Sequence, residues 1–216
     1  MSNHVTTPEA VGMSSARLGR IAPVMESYVN ERGVVGISTM ISRRGEIVHD
    51  EQFGLQDKEA GVPMAADTIF RIYSMTKPIT SVAFMMLVEE GKVALDDPVH
   101  CFMPDWRDLG VYVAGLPGAF QTRRTDSPMR MIDLLRHTAG LTYGFQWRTA
   151  VDAAYRAAQL EPFEQSGGLQ GFVDALAQVP LEFSPGSAWN YSVATDVLGY
   201  LVGRISGLPF EDFLQQ

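Results

Sequence analysis

Residues 74–77 read Ser-Met-Thr-Lys, and the chain places one of only three lysines there. A hydroxyl and an amine three positions apart lie on one face of a helix. At the start of a helix, unpaired backbone N–H groups and the positive end of the macrodipole face outward. That setting stabilises an activated hydroxyl or the oxyanion it generates. Lys77 sets an amine one turn along, where it can take part in proton transfer. Pro78 fits the same placement, because a missing N–H costs least in the first helical turn. A Ser-x-x-Lys pair arises by chance in roughly one such chain in six, and a serine cap beside a solvated lysine explains it equally well. A second feature shifts the balance. In "SPGSAWNYSVATDVLGYLVGRISG" Tyr191 sits in a tight turn before a helix. There it is either an ordinary core ring or, held near a lysine, a general acid or base.

The elements that must position these groups fall into two parts. Residues 14–32 predict a helix, with Ser14 or Ser15 as cap, a stripe of Leu18, Ile21, Met25, Tyr28 and Val29, and Gly33 as stop. VVGISTMIS, the turn Arg43-Arg44-Gly45 and EIVHDEQFG predict an antiparallel hairpin, with one more short strand at Thr68–Ile72. From residue 74 onward the pattern is helical, over about 75–90, from Asp126-Ser127-Pro128 to before Gly140, over 168–178 and over 192–206. A further amphipathic helix opens at Leu208-Pro209. Two strands alone are marginal in water, so the hairpin implies more sheet than it supplies.

Bulk composition narrows the function. The chain has 216 residues, 46% hydrophobic and 19% charged, which is ordinary for a soluble globular protein. Its net charge is −8 with the basic residues scattered, which argues against nucleic acid as a partner. No segment approaches the roughly 20 apolar residues of a membrane span, and the amino terminus lacks a basic start followed by an apolar run. With one cysteine, Cys101, no internal disulfide forms, and a cytoplasmic protein is expected.

Taken together these residues resemble the serine β-lactamase and penicillin-binding-protein superfamily, in its class C branch, and most closely the family VIII carboxylesterases. Ser74-Met75-Thr76-Lys77 matches the Ser-x-x-Lys motif with its trailing proline. Tyr191-Ser192-Val193 stands where that superfamily has Tyr-x-Asn. "LLRHTAGL" (Leu134–Leu141), "GKVALDDPV" (Gly91–Val99) and "PGSAWNYS" (Pro185–Ser192) follow in family order.

The resemblance implies an α/β fold of the β-lactamase/transpeptidase type. Residues 1–73 would form the amino-terminal part of an antiparallel sheet domain, and 74–216 an all-α subdomain carrying the motifs. Ser74 would attack an ester carbonyl, Lys77 and Tyr191 would move its proton, and water would hydrolyse the acyl-enzyme; the Ser74 N–H would be half of an oxyanion hole. Whether Lys77 or Tyr191 is the base stays open. The substrate would be a small-molecule, short-chain ester, with no cofactor and no metal. Family members are about twice as long, and their carboxyl-terminal part completes the sheet and supplies a third motif. The chain alone is therefore expected to be poorly active, with a carboxyl-terminal complement chain or a homo-oligomer as partner. Two rivals stand beside the esterase: a β-lactamase or D,D-peptidase on the same scaffold, and a non-catalytic fragment. Val193 in place of asparagine weakens the first, since valine offers no amide to a lactam side chain.

Tyr143 in "GLTYG" is expected on the substrate wall, with Val193 and Trp147 as further substrate-binding candidates. For Trp147, and for Trp189, packing is the stronger expectation. Asp196 is expected to cap the last long helix rather than to orient the site. His4, His49, His100 and His137 have no metal-ligand spacing and no triad order, and His137 is expected to satisfy a local hydrogen bond. No Gly-x-Ser-x-Gly elbow occurs.

Overall fold

A computed structural model describes residues 5–160 and 167–216, so His4 lies outside the described residues. The chain divides between Arg71 and Ile72 into two compact units.

The first unit holds a three-stranded antiparallel sheet in the order β1 (Gly36–Arg43), β2 (Glu46–Asp57), β3 (Val62–Pro63), with a bulge at Ile41/Ser42. The expected hairpin is thus present. The third strand is β3 and not Thr68–Ile72. Thr68 instead closes a turn, its hydroxyl accepting from the Ala65 N–H and donating to Gln56. Ile69 beyond it is 97% exposed. Apolar β-formers make a strand only where another strand completes their ladder. The expected single helix over 14–32 is broken into α1 (Ser15–Leu18) and α2 (Ile21–Arg32), with Gly19 and Arg20 between them. Pro23 accounts for the break, since it cannot donate to the Gly19 carbonyl and its ring crowds that group.

In the second unit, α3 (Thr76–Glu89) follows a single 3-10 turn over Tyr73–Met75. It buries Thr80, Ala83, Phe84 and Leu87, spaced as one helical face. Its opposite face exposes Ile79, Val82 and Met86, so the helix is buried on one side only. Gly91 at φ 69° ends the helix: its N–H bonds the Val88 carbonyl while Lys92 N–H bonds Leu87, a closure that needs a left-handed residue. Next come a hairpin, β4 (Val111–Ala114) with β5 (Gln121–Arg123), then α4 (Met131–Leu135), α5 (Ala150–Ala157), α6 (Gly168–Leu176), α7 (Ala194–Ser206) and α8 (Phe210–Leu214).

The α7 helix is the hub, packed by α3, α4, α6 and α8. Its stripe of Val197, Leu198 and Leu201 is fully buried, as its spacing requires, together with Val193 just ahead of it. The helix expected from Asp126-Ser127-Pro128 begins only at Met131. The loop ahead of it is tied down elsewhere: Asp126 N–H bonds the Ser184 hydroxyl at 2.6 Å and Ser127 Oγ donates to the Pro185 carbonyl at 3.1 Å. A residue before proline is also kept out of helical geometry.

The β4–β5 hairpin departs from the all-α subdomain expected over 74–216: its two short strands complete each other's ladder, a pairing that composition does not reveal. The α5 helix is a second departure from the expected elements. For α5 the signal was present, since Thr149 and Asp152 form a capping box ahead of Val151, Ala154 and Tyr155. Asp152 is completely buried, and its carboxylate accepts from the N–H groups of Arg148 (2.6 Å) and Thr149 (3.0 Å) and from the Arg156 guanidinium (3.0 Å). Burial raises its pKa, but these donors outweigh burial and the net shift is downward. A depressed carboxylate stabilises the fold above its unfolded pKa and loses that contribution as pH falls through the folded value. Asp152→Ala is expected to cost about 3 kcal/mol in urea unfolding at pH 7, because it strands a buried cluster of donors. A loss below about 1 kcal/mol would refute that assignment.

Candidate active site

Ser74 is the middle residue of the 3-10 turn that feeds α3. Tyr73 before it has φ 45°, a conformation bulky residues rarely adopt, and such strain concentrates where a side chain must be aimed. Lys77 lies in the first turn of α3, so Ser74 and Lys77 share one face. The Lys77 ammonium donates to Ser74 Oγ at 3.4 Å. Pro78 sits in that first turn, as its spacing requires.

Tyr191 arrives from 117 positions along the chain, its OH 2.7 Å from Ser74 Oγ. The Lys77 Nζ lies 4.7 Å from the Tyr191 ring centre and 5.6 Å from that of Tyr143. Burial acts to raise the Tyr191 pKa. Hydrogen bonding to Lys77 and Ser74, together with the Lys77 charge, acts the other way and prevails over burial and Asp196, so the phenol is more acidic than an ordinary tyrosine.

The segment carrying Tyr191 is held from several sides. Gln146 Nε2 donates to the Tyr191 carbonyl at 2.5 Å, and Arg148 donates to Gln146 and to Asn190 Oδ1. Asn190 Nδ2 donates in turn to the Leu141 carbonyl (3.0 Å) and to Glu182 (2.8 Å). The bonds of His137 to this segment are long-range rather than the local one expected: it meets Asn190 and Ser192, the latter 55 positions away. Gly140, at φ 85°, lets the loop after His137 lie against residues 181–183; a Cβ there would stand 2.3 Å from the Phe183 carbonyl. Gln146, Arg148, Asn190 and Glu182 carry no sequence signal of this role, since each acts through a contact made only on folding.

The expected substrate residues separate. Tyr143 is brought to the site, its ring 5.3 Å from Tyr191 and stacked at 4.8 Å on Phe145. Val193 is not on the wall: it has no accessible surface and packs in the core, while its N–H donates to the Thr142 carbonyl. A β-branched residue just before an inward-facing helix stripe is drawn into the apolar interior. Trp147 and Trp189 are not packed either, being 74% and 66% exposed. The Arg156 guanidinium covers the Trp147 ring at 3.7 Å, and Trp189 meets the His137 ring edge-on at 6.3 Å. Asp196 stands in the first turn of α7, where a carboxylate complements the helix dipole. Among the described residues no group of three or more His, Cys, Asp or Glu could hold a metal, and no helix is long and apolar enough to cross a membrane.

A hydroxyl at the mouth of a helix, an amine one turn on and a phenol across from both make up a Ser-x-x-Lys site. The chain belongs to the Beta-lactamase family, whose model matches residues 21–216. Esterase EstB of Burkholderia gladioli is 35% identical, over 94% of this chain and 49% of its own length. Protein Rv1367c of Mycobacterium tuberculosis is 39% identical, over 84% of this chain and 44% of its own. Among solved structures, EstCE1, described as a hydrolase with promiscuous acyltransferase activity, superposes with a TM-score of 0.77 at 28% identity, covering 92% of this chain and 49% of that one. The β-lactamase-type α/β fold and the kinship with serine esterases are thus borne out. The chain spans about half the length of these relatives.

Proposed function

We infer that the chain provides the nucleophilic half of a serine carboxylesterase that cleaves short-chain esters through an acyl-enzyme. The observation that carries this is the 2.7 Å contact between Ser74 Oγ and Tyr191 OH, with the Lys77 ammonium 3.4 Å from the same oxygen. Tyr191, ionised, takes the Ser74 proton while Oγ attacks the ester carbonyl. The phenol then returns the proton to the departing alcohol, and water repeats the sequence on the acyl-enzyme. Lys77 holds its positive charge beside the phenolate and orients the hydroxyl. The Ser74 N–H is a donor to the developing oxyanion. The shorter contact and the acidified phenol favour Tyr191 over Lys77 as the base.

Ester cleavage is favoured over lactam cleavage because the residue two beyond Tyr191 is a core valine that offers no amide to the site. Parallel kinetics on p-nitrophenyl butyrate and a chromogenic cephalosporin test the choice. Ester turnover is expected to dominate; lactam turnover well above it would replace the esterase by a β-lactamase. The rate of acylation is also expected to rise with pH through a midpoint below the ordinary tyrosine value, because the base must be ionised. A stopped-flow profile with its only rise near or above pH 10 would contradict Tyr191 as that base. Cytoplasmic residence and a partner, either a carboxyl-terminal complement or a second copy, belong to the same proposal. Cell fractionation and native mass spectrometry read them.

A further inference from the structure

His137 lies outside the Ser74, Lys77 and Tyr191 triangle, yet it touches the chain on both sides of Tyr191. Its carbonyl accepts from the Asn190 N–H at 2.9 Å. Its ring Nδ1 accepts from the Ser192 N–H at 3.3 Å and lies 3.3 Å from Ser192 Oγ. Its ring stands against the Tyr191 ring, centres 5.0 Å apart. Residues 190, 191 and 192 are therefore gripped in turn by one side chain and its own backbone. His137 is itself fixed, at φ 58° in the left-handed region just past the end of α4, with its N–H bonded to the Leu134 carbonyl.

We propose that His137 is the positioning residue that sets the Tyr191 phenol against Ser74, through a ring nitrogen that must accept from the Ser192 N–H. A donor N–H aimed at Nδ1 fixes the tautomer: the ring proton is on Nε2. An imidazolium would point N–H at N–H and add a second cation beside Lys77. Burial, and then the Lys77 charge, both favour the neutral ring. The bond from the Ser192 N–H restrains the peptide that follows Tyr191, the bond from the Asn190 N–H holds the residue before it, and the ring contact restrains its side chain. Small errors in such placement are costly, because proton transfer demands hydrogen-bond distance.

This assignment rests on the acyl-transfer reading of Ser74 and Tyr191, and two variants test it. Glycine and asparagine both tolerate a left-handed backbone, but only asparagine keeps an acceptor where Nδ1 stands. Two readouts are compared in the 216-residue chain: the rate at which a fluorophosphonate probe labels Ser74, and the titration of Tyr191. The second is the absorbance difference at about 295 nm between each protein and its Tyr191→Phe counterpart. His137→Gly is expected to slow labelling at least about tenfold and to move the Tyr191 midpoint up toward the ordinary value. His137→Asn is expected to restore both, with thermal midpoints of the two variants alike.

Wild-type labelling and titration in His137→Gly overturn the proposal, and so does an equal loss in both variants. If His137→Gly does not fold, His137→Asn decides alone, and a loss of about tenfold in it overturns the proposal. Failure of the wild-type chain to label at Ser74 even with its carboxyl-terminal complement added refutes the hydrolase reading instead, and the Tyr191 titration still reports on the grip of His137.

Discussion

Ser74→Ala will abolish covalent capture of a fluorophosphonate and lower ester turnover by at least about 10⁴-fold, the scale on which loss of the nucleophile acts in serine hydrolases. Intact mass spectrometry reads it directly: one probe mass is added to the wild-type chain and none to the variant. The reasoning is local. The Ser74 hydroxyl is exposed at the mouth of α3, within 2.7 Å of a phenol and 3.4 Å of an ammonium. Among the described residues no other serine hydroxyl meets both a phenol and an ammonium at hydrogen-bond distance. The substitution removes a group that is not buried, so the fold is expected to persist with an unchanged thermal midpoint. Labelling of the variant at another residue would place the nucleophile elsewhere.

Tyr191→Phe is the second large effect, expected to reduce acylation by about 10²- to 10⁴-fold. Phenylalanine keeps the ring that packs between His137 and Tyr143 and removes only the oxygen facing Ser74. Stability should therefore change little while the proton acceptor is lost. The variant should also lose the rise of rate with pH that the acidified phenol produces. If acylation kept both its wild-type rate and its pH profile, Lys77 rather than Tyr191 would be the base. A Lys77→Ala variant then distinguishes a supporting charge from a base. As a support, its loss should push the Tyr191 midpoint upward, because the cation that favours the phenolate is gone.

Local rules acting within a few residues carried the sequence reading where it succeeded. Ser-x-x-Lys with a trailing proline placed two groups on one helical face, since i and i+3 are neighbours whatever the rest of the chain does. The hairpin about Arg44-Gly45, the closure of α3 at Gly91 and the buried stripe of α7 are decided by turn chemistry and periodicity in the same way. The order of the motif blocks pointed to the family that the comparisons establish.

What needed the tertiary structure depends on contacts between distant segments. The third strand is Val62–Pro63 rather than Thr68–Ile72, because strands are chosen by the partner that completes their ladder and not by composition. The helix near Pro128 starts late because Ser184 and Pro185 hold its leading loop. Val193 left the expected substrate wall for the core, while two tryptophans expected to pack are exposed. Above all, that Tyr191 meets Ser74 across 117 positions, and that His137, Gln146 and Asn190 hold it there, could not be read from spacing. The sequence by itself determined which groups could react. The fold decided which of them are held at hydrogen-bond distance, because only packing can offset the entropy of fixing side chains from separate segments together.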